Sequence, residues 1–123
     1  MHNGKAVVLV VEDSAVIRMG AVDLVTSAGY EAIEACSADE AICILESRSD
    51  IDLVFTDVEM PGTMNGVKLC HHIRNRWPPV KLIIASGKAI LEESSLPEGC
   101  QFFPKPYSDH IIVDAMARIL SAA

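Results

Sequence analysis

The sequence predicts an α/β fold in which a parallel β-sheet is covered by helices on both faces. Short apolar runs rich in β-branched residues alternate with longer segments that carry apolar residues at helical spacing, and the connections between them are short. This alternation is typical of a doubly wound sheet. The chain has 123 residues, a length that suits one domain, and 50% of them are hydrophobic, which is enough for a core.

Five short runs are predicted to form the strands. The first, residues 6–11, reads AVVLVV, and such a continuous apolar run indicates a strand that is buried on both faces. Further strands are expected at residues 30–35, 51–56, 80–85 and 100–103.

Helix signals separate these runs. The first helix, at residues 14–28, ends at Gly29, and its predicted buried stripe consists of Ile17, Ala21, Leu24, Val25 and Ala28. Ser37 begins the second helix, which runs to about residue 48, because Glu40 follows three residues later and completes a capping box. Later helices are expected at residues 65–76, 88–95 and 108–120, of which the middle one has only two turns.

Charge and hydropathy exclude several classes of protein. With 10 basic and 17 acidic residues, the net charge is 10 − 17 = −7, which disfavours direct nucleic-acid binding. No apolar run reaches membrane-spanning length, and the N-terminus has no signal-peptide pattern. We therefore expect a cytoplasmic protein that does not insert into membranes.

The cysteines are spread along the chain. Cys36, Cys43, Cys70 and Cys100 include no C-x-x-C pair, so no metal or redox motif is predicted. We expect reduced and mostly buried thiols.

Polar residues follow the predicted strands at the points where the strands end. Glu12 and Asp13 follow the first strand, Asp57 the third, Ser86 the fourth and Lys105 the fifth. Functional groups in a doubly wound sheet gather beyond the carboxyl ends of the strands. We therefore expect three carboxylates, a hydroxyl and a lysine at one edge.

These groups predict phosphoryl-transfer chemistry. Clustered carboxylates repel one another unless a cation lies among them, and oxygen ligands suit Mg²⁺ better than zinc. Lys105 adds a fixed positive charge and Ser86 a hydrogen-bond donor, the set that positions and neutralises a phosphoryl group. Asp57 is the central carboxylate and the candidate nucleophile for an aspartyl phosphate.

The same segments resemble a known family. VVEDS at residues 10–14, DVEMP at 57–61, ASG at 85–87 and KP at 105–106 resemble the response regulator receiver domain (CheY-like) of two-component signalling. The resemblance extends over the whole chain in order, so residues 1–123 are expected to form a single receiver domain.

The resemblance also makes the expected fold more specific. It implies a five-stranded, flavodoxin-like sheet of order 2-1-3-4-5 and a cis peptide bond between Lys105 and Pro106. Ser86 and Lys105 are closer in sequence than is usual in the family, which implies a shortened helix 4. The loop from Met60 to Gly66 is one residue longer than usual and should bulge.

The family implies specific roles around the acceptor. Asp57 would accept the phosphoryl group from a phosphohistidine on a partner kinase, Ser86 would hydrogen-bond it and Lys105 would form an ion pair with it. Phe102, three residues before Lys105, matches the aromatic switch that responds to movement of Ser86. The switch residue here is Phe rather than Tyr and carries no hydroxyl.

The metal ligands and modulating positions also follow from the resemblance. Asp13 and Asp57 would bind Mg²⁺ directly, the backbone carbonyl of Glu59 would add a ligand, and Glu12 would act partly through water. Glu59 and Lys88 occupy the two positions that often tune dephosphorylation, and their opposite charges could pair across the mouth of the site.

The resulting hypothesis is a signalling module, not an enzyme with an external substrate. It would catalyse only its own phosphorylation and dephosphorylation, with a histidine kinase or phosphotransfer protein as donor and a downstream protein as target. Val16 and Met19 lie off the buried stripe and beside the acidic site, so we interpret them as contacts to the kinase. Both a stand-alone receiver and the receiver of a hybrid kinase remain open.

Three alternatives compete with this hypothesis. An aspartate-nucleophile phosphohydrolase would use Glu59 as its acid, but the chain is short for a substrate-covering cap. An FMN carrier of the same topology is disfavoured, because Glu12 and Asp13 would repel a phosphate. A receiver-like interaction module that works without phosphorylation stays open.

Overall fold

The computed structural model describes residues 5–60, 64–87 and 96–121. Its centre is a parallel sheet in the order β2-β1-β3-β4-β5. The strands are β1 (Val7–Val11), β2 (Glu31–Ala35), β3 (Leu53–Asp57), β4 (Lys81–Ser86) and β5 (Cys100–Pro104). This order confirms the predicted doubly wound, flavodoxin-like sheet.

Four helices cover the sheet within the described residues. They are α1 (Ala15–Ser27), α2 (Ala38–Ser47), α3 (Gly66–Arg76) and α4 (Asp109–Ser121). The two-turn helix predicted at residues 88–95, which was the shortened helix 4 of the prediction, lies outside the described residues, as do residues 61–63 of the long loop. No helix in the described part of the chain is long and apolar enough to cross a membrane.

Side chains cap the starts of α2 and α3, and the cap of α2 is the predicted Ser37. The Ser37 hydroxyl accepts a hydrogen bond from the backbone N–H of Glu40 at 3.1 Å. The Glu40 carboxylate accepts in return from the backbone N–H of Cys36 at 2.6 Å, so the return bond of the capping box lies one residue before the cap. Asn65 caps α3 in the same way through the N–H of Lys68.

The sheet separates two apolar layers because successive strand residues point to opposite faces. One layer packs against α2 and α3 and includes Leu9, Val54, Leu82 and Ile84. The other packs against α1 and α4 and includes Val8, Val10, Phe55 and Ile83. β1 and β3 are buried along their whole length, as expected for central strands that are covered on both faces.

Two burial expectations were wrong. Ile17, placed in the buried stripe of α1, is 48% exposed. It lies in the first turn of α1, and the buried residues of this helix begin only at Ala21. Cys36 and Cys43 are exposed rather than buried, because one precedes the cap of α2 and the other lies on its outer face.

The start of α3 packs directly on the backbone that carries Asp57. The N–H of Gly66 donates to the carbonyl of Val58 at 3.0 Å. A Cβ at Gly66 would overlap the Asp57 carbonyl oxygen and would lie 2.8 Å from the Asp57 carbonyl carbon. Only a residue without a side chain fits this contact between two backbones.

We predict opposite effects for alanine at two helical glycines. Gly66→Ala should lower the free energy of unfolding by about 1–3 kcal/mol, because the new methyl group meets backbone that cannot move aside. Gly20→Ala in α1 has nothing within 4 Å of the added Cβ and should raise it by about 0.5–1 kcal/mol. Urea denaturation of the two variants measures both values, and an equal change in both would contradict the close approach at Gly66.

Candidate functional site

The carboxyl ends of four strands bring the predicted polar residues together. Asp57 and Ser86 are the last residues of β3 and β4, and Glu12 directly follows β1. Lys105 follows β5, and its ammonium nitrogen lies 2.7 Å from Asp57 Oδ1 and 3.5 Å from Glu12 Oε1. The lysine therefore bridges two carboxylates that come from different strands.

Three carboxylates at this edge form a compact acidic cluster. One oxygen each from Glu12, Asp13 and Asp57 lies within 4.8 Å of the others. Glu12 and Asp57 are buried, whereas Asp13 is exposed. A set of carboxylate oxygens that is open on one side suits a hard divalent cation.

The turn after β1 is held by contacts that the sequence did not reveal. The backbone N–H of Ser14 donates to Glu12 Oε2 at 3.0 Å, which turns the carboxylate inward. Arg18 donates to the carbonyl oxygen of Glu12 at 2.8 Å, and its Nε forms an ion pair with Glu34 on β2 at 3.0 Å. Arg18 thus fixes the acidic turn against the neighbouring strand. A bond to a backbone carbonyl leaves no signature in the sequence.

Burial and crowding of negative charge shape the protonation of the cluster. Burial raises the pKa of Asp57, Lys105 opposes this, and the charges of Glu59 and Asp13 add to it, so the net pKa lies above its usual range. Burial likewise raises the pKa of Glu12, against the lowering effect of the Ser14 N–H. The positive charge near the carboxyl groups of Asp57 and Glu12 therefore does not fully offset their burial and the negative charges around them.

The surroundings of one Asp57 oxygen show this lack of positive charge most clearly. Oδ1 is buried and accepts no well-aligned hydrogen bond from any group in residues 5–60, 64–87 or 96–121. The Lys105 ammonium at 2.7 Å is an ion-pair contact rather than a directed hydrogen bond. A buried carboxylate oxygen of this kind has capacity left for a cation or a reacting group.

Lys105 is anchored through its backbone. Its N–H donates to the carbonyl oxygen of Ser86 at 2.7 Å, and the Lys105–Pro106 peptide bond is cis, as the resemblance implied. Burial alone would lower the pKa of the ammonium, but the contact with Asp57 outweighs it and the net pKa is raised. Lys105 therefore remains positively charged beside the acceptor candidate.

Glu59 crosses the mouth of the site and occupies two donors. The Ser86 hydroxyl donates to Glu59 Oε2 at 2.7 Å, and the backbone N–H of Gly87 donates to Glu59 Oε1 at 3.0 Å. Sequence reasoning singled out Glu59 but missed these partners. Lys88, its expected partner, lies outside the described residues.

The remaining described candidates are Phe102, on the face of the sheet that α2 and α3 cover, and Val16 and Met19, on α1 at the other face. Phe102 on β5 is partly buried against the layer of α2 and α3. It pairs in register with Ile84, two residues before Ser86. On α1, Val16 is 80% and Met19 65% exposed, which is unusual for large apolar side chains.

Known proteins are similar to this chain in both sequence and fold. The sensor kinase CckA of Brucella abortus is 40% identical over 112 residues, which are 86% of this chain but 12% of the kinase. The chemotaxis protein CheY of Thermotoga maritima is 33% identical over 118 residues, 91% of this chain and 95% of that protein. A response regulator receiver domain protein from Clostridium thermocellum superposes with a TM-score of 0.86 at 26% identity, covering 94% of each chain.

The relatives differ greatly in length, and the chain spans only about an eighth of the kinase. The family model of the response regulator receiver domain matches residues 8–117, which include the acidic turn, β3, β4 and Lys105. This match agrees with both the carboxylate cluster and the sheet order. The chain belongs to the response regulator receiver domain family of two-component signalling.

Proposed function

We propose that Asp57 is the phosphoacceptor of this receiver and takes its phosphoryl group from a phosphohistidine of a histidine kinase or phosphotransfer protein in a Mg²⁺-dependent reaction. The observation that carries the proposal is the environment of Asp57 Oδ1. This oxygen is buried and lies 2.7 Å from the Lys105 ammonium, and its carboxylate is part of the acidic cluster.

The chain's own groups divide the work of the transfer. A carboxylate oxygen of Asp57 attacks phosphorus, the new O–P bond forms as the N–P bond breaks, and the electron pair leaves with the imidazole. Lys105 stays paired with the site and neutralises charge on the phosphoryl oxygens. The Ser86 hydroxyl and the Gly87 N–H donate hydrogen bonds to those oxygens once Glu59 releases them.

Mg²⁺ fits the donor set of the site. We assign Asp13 and Asp57 as direct ligands, the backbone carbonyl of Glu59 as a third, and Glu12 as an indirect partner. When bound, the ion supplies the positive charge that offsets the phosphoryl oxygens and the clustered carboxylates. The donors are all oxygen, the preference of a hard cation.

The activity proposed is that of a signalling switch. Residues 1–123 act as a single receiver domain in the cytoplasm, catalyse only their own phosphorylation and dephosphorylation, and present the change to a downstream protein. Ser86 and Phe102 act as the switch pair, because Phe102 lies on the strand that pairs with β4 near Ser86. A phosphohydrolase is disfavoured, since Glu59, its acid candidate, is bound to Ser86 and Gly87.

The kinase contact is proposed on α1. Val16 and Met19 are large, apolar and exposed, and α1 begins two residues after Asp13 at the edge that carries the site. A partner that covers them would bring its phosphohistidine to the acidic cluster. Exposed apolar side chains beside a reactive group are typical of a protein contact.

Asp57→Asn keeps the shape of the acceptor but removes its nucleophilic charge. We expect it to abolish labelling by radioactive acetyl phosphate, whereas Asp23→Asn, a charge-matched change on α1, should label as the wild type does. Chelation of Mg²⁺ with EDTA should abolish labelling of the wild type as well. Undiminished labelling of Asp57→Asn would refute the assignment.

The contact on α1 should matter only for transfer from a protein. A variant with Val16→Ser and Met19→Ser should lose about tenfold in the rate of phosphotransfer, which corresponds to about 1.4 kcal/mol for the two apolar contacts together. The donor is whichever kinase, from a panel of autophosphorylated histidine kinases, transfers fastest to the wild type. Labelling by acetyl phosphate is the control and should be unchanged. A parallel loss with both donors would place these residues in the chemistry rather than in the contact.

Glu59 should slow phosphorylation, because its carboxylate holds two donors that the phosphoryl group needs. Glu59→Ala should raise the rate of labelling by acetyl phosphate about fivefold, the equivalent of about 1 kcal/mol for a partly exposed, charge-assisted hydrogen bond. The backbone carbonyl at this position, and with it the proposed metal ligand, is unchanged.

Glu59→Gln separates hydrogen bonding from charge. The amide is uncharged yet retains an oxygen that can accept from Ser86, so this variant should fall between wild type and Glu59→Ala. Equal rates for the glutamine and alanine variants would attribute the effect to charge alone. A rate for Glu59→Ala at or below that of wild type would remove the blocking role altogether.

A further inference from the structure

Two cysteines from distant parts of the sequence meet on the side of the sheet that faces α2 and α3. Cys70 lies on α3 and is completely buried in that layer. Cys100 is the first residue of β5, is partly buried and packs against the same layer. Arg74, one turn after Cys70 on α3, donates to the carbonyl oxygen of Glu98, two residues before Cys100, and this bond holds α3 against the start of β5. Both thiols are reduced.

The surroundings make Cys100 the more reactive of the two. It lines an open surface depression of about 580 Å³, so a small solute can reach it. Arg74 lies beside it, since its Nε donates to the carbonyl oxygen of Glu98 at 3.0 Å and its guanidinium approaches Gly99. A guanidinium next to a thiol favours the thiolate, which is the nucleophilic form.

The protonation of the pair agrees with this division of roles. The hydrogen bond from Cys70 lowers the pKa of the Cys100 thiol, and the charge of Arg74 adds to the effect against the opposing effect of burial. The same hydrogen bond and burial raise the pKa of the Cys70 thiol. The accessible cysteine therefore ionises first, and the buried one retains its proton.

We propose that Cys70 and Cys100 form a peroxide-sensitive dithiol, in which oxidation joins α3 to β5 by a disulfide bond. The Cys100 thiolate attacks a peroxide oxygen, an S–O bond forms, the O–O bond breaks and the departing hydroxide takes up a proton to become water. Cys70 sulfur then attacks the resulting sulfenic acid, an S–S bond forms, the S–O bond breaks and a second water leaves with the Cys70 proton. Two thiols lose two electrons, and hydrogen peroxide gains them.

The disulfide would act on the face of the sheet that carries Phe102, the proposed switch residue. Cys100 and Phe102 alternate along β5 and face the same layer, so a cross-link at Cys100 restrains the strand that carries Phe102. It would also restrain the turn at residues 96–99, which Arg74 already ties to α3 through Glu98. Oxidation of the two cysteines and phosphorylation of Asp57 would thus both affect β5, although they occur at different sites. The oxidation of the dithiol does not depend on Asp57.

The test is oxidation of the folded full-length chain by hydrogen peroxide. A variant with Cys36→Ser and Cys43→Ser removes the two exposed thiols and keeps Cys70 and Cys100. After peroxide, its intact mass should fall by two hydrogen atoms, and peptide mapping without reductant should show Cys70 joined to Cys100. Dithiothreitol should restore the original mass.

Single changes in the same background establish the order of attack. Cys70→Ala should lose the cross-link completely and leave Cys100 open to dimedone, which labels sulfenic acids. Cys100→Ser should lose both the cross-link and the dimedone label. Circular dichroism verifies that each variant is folded, and the mapping of the parent variant stands even if Cys70→Ala does not fold.

Other outcomes would overturn the proposal. Over-oxidation of Cys100 without a cross-link would show that Cys70 cannot reach it. A cross-link that forms faster in urea than in buffer would show that it belongs to the unfolded chain, and dimers joined through Cys100 would show that its partner is another molecule.

Discussion

The ion pair between Lys105 and Asp57 is the interaction on which the arrangement of this receiver depends. Five parallel strands end at one edge, so the groups that follow them crowd together, and three of these are carboxylates. Burial of Asp57 without a cation nearby would carry a large desolvation cost. The Lys105 ammonium at 2.7 Å offsets part of that cost. The remaining negative charge suits the edge to a divalent cation.

Most of the fold and the acidic site could be predicted from the sequence because both follow from local patterns. β-Branched runs gave the strands to within two residues, and Glu12, Asp57 and Ser86 lie at strand ends where backbone topology alone places them. The partners of Glu59 could not be predicted, since they depend on how a side chain turns across a gap between strands. The exposure of Ile17 depends on where α1 meets the sheet, which periodicity does not specify.

Contacts between distant residues account for the rest of what the sequence did not show. Arg18 reaches a backbone carbonyl, and Cys70 of α3 and Cys100 of β5 pack in the same apolar layer. The sheet separates these features by face. The exposed apolar residues of α1 lie on the side of α1 and α4, whereas Phe102 and the two thiols lie on the side of α2 and α3.

The hydrogen bond from Gly66 to Val58 bears on the length of the loop between these residues. It joins the two ends of the loop that leaves β3 and enters α3, and the absent side chain of Gly66 lets the helix rest on the strand's own backbone. The ends of this loop are held together, so an extra residue within it adds only a small entropic cost of loop closure and shifts neither end. An extra residue between residues 59 and 65 would therefore change the rim of the site while Asp57 stays in place.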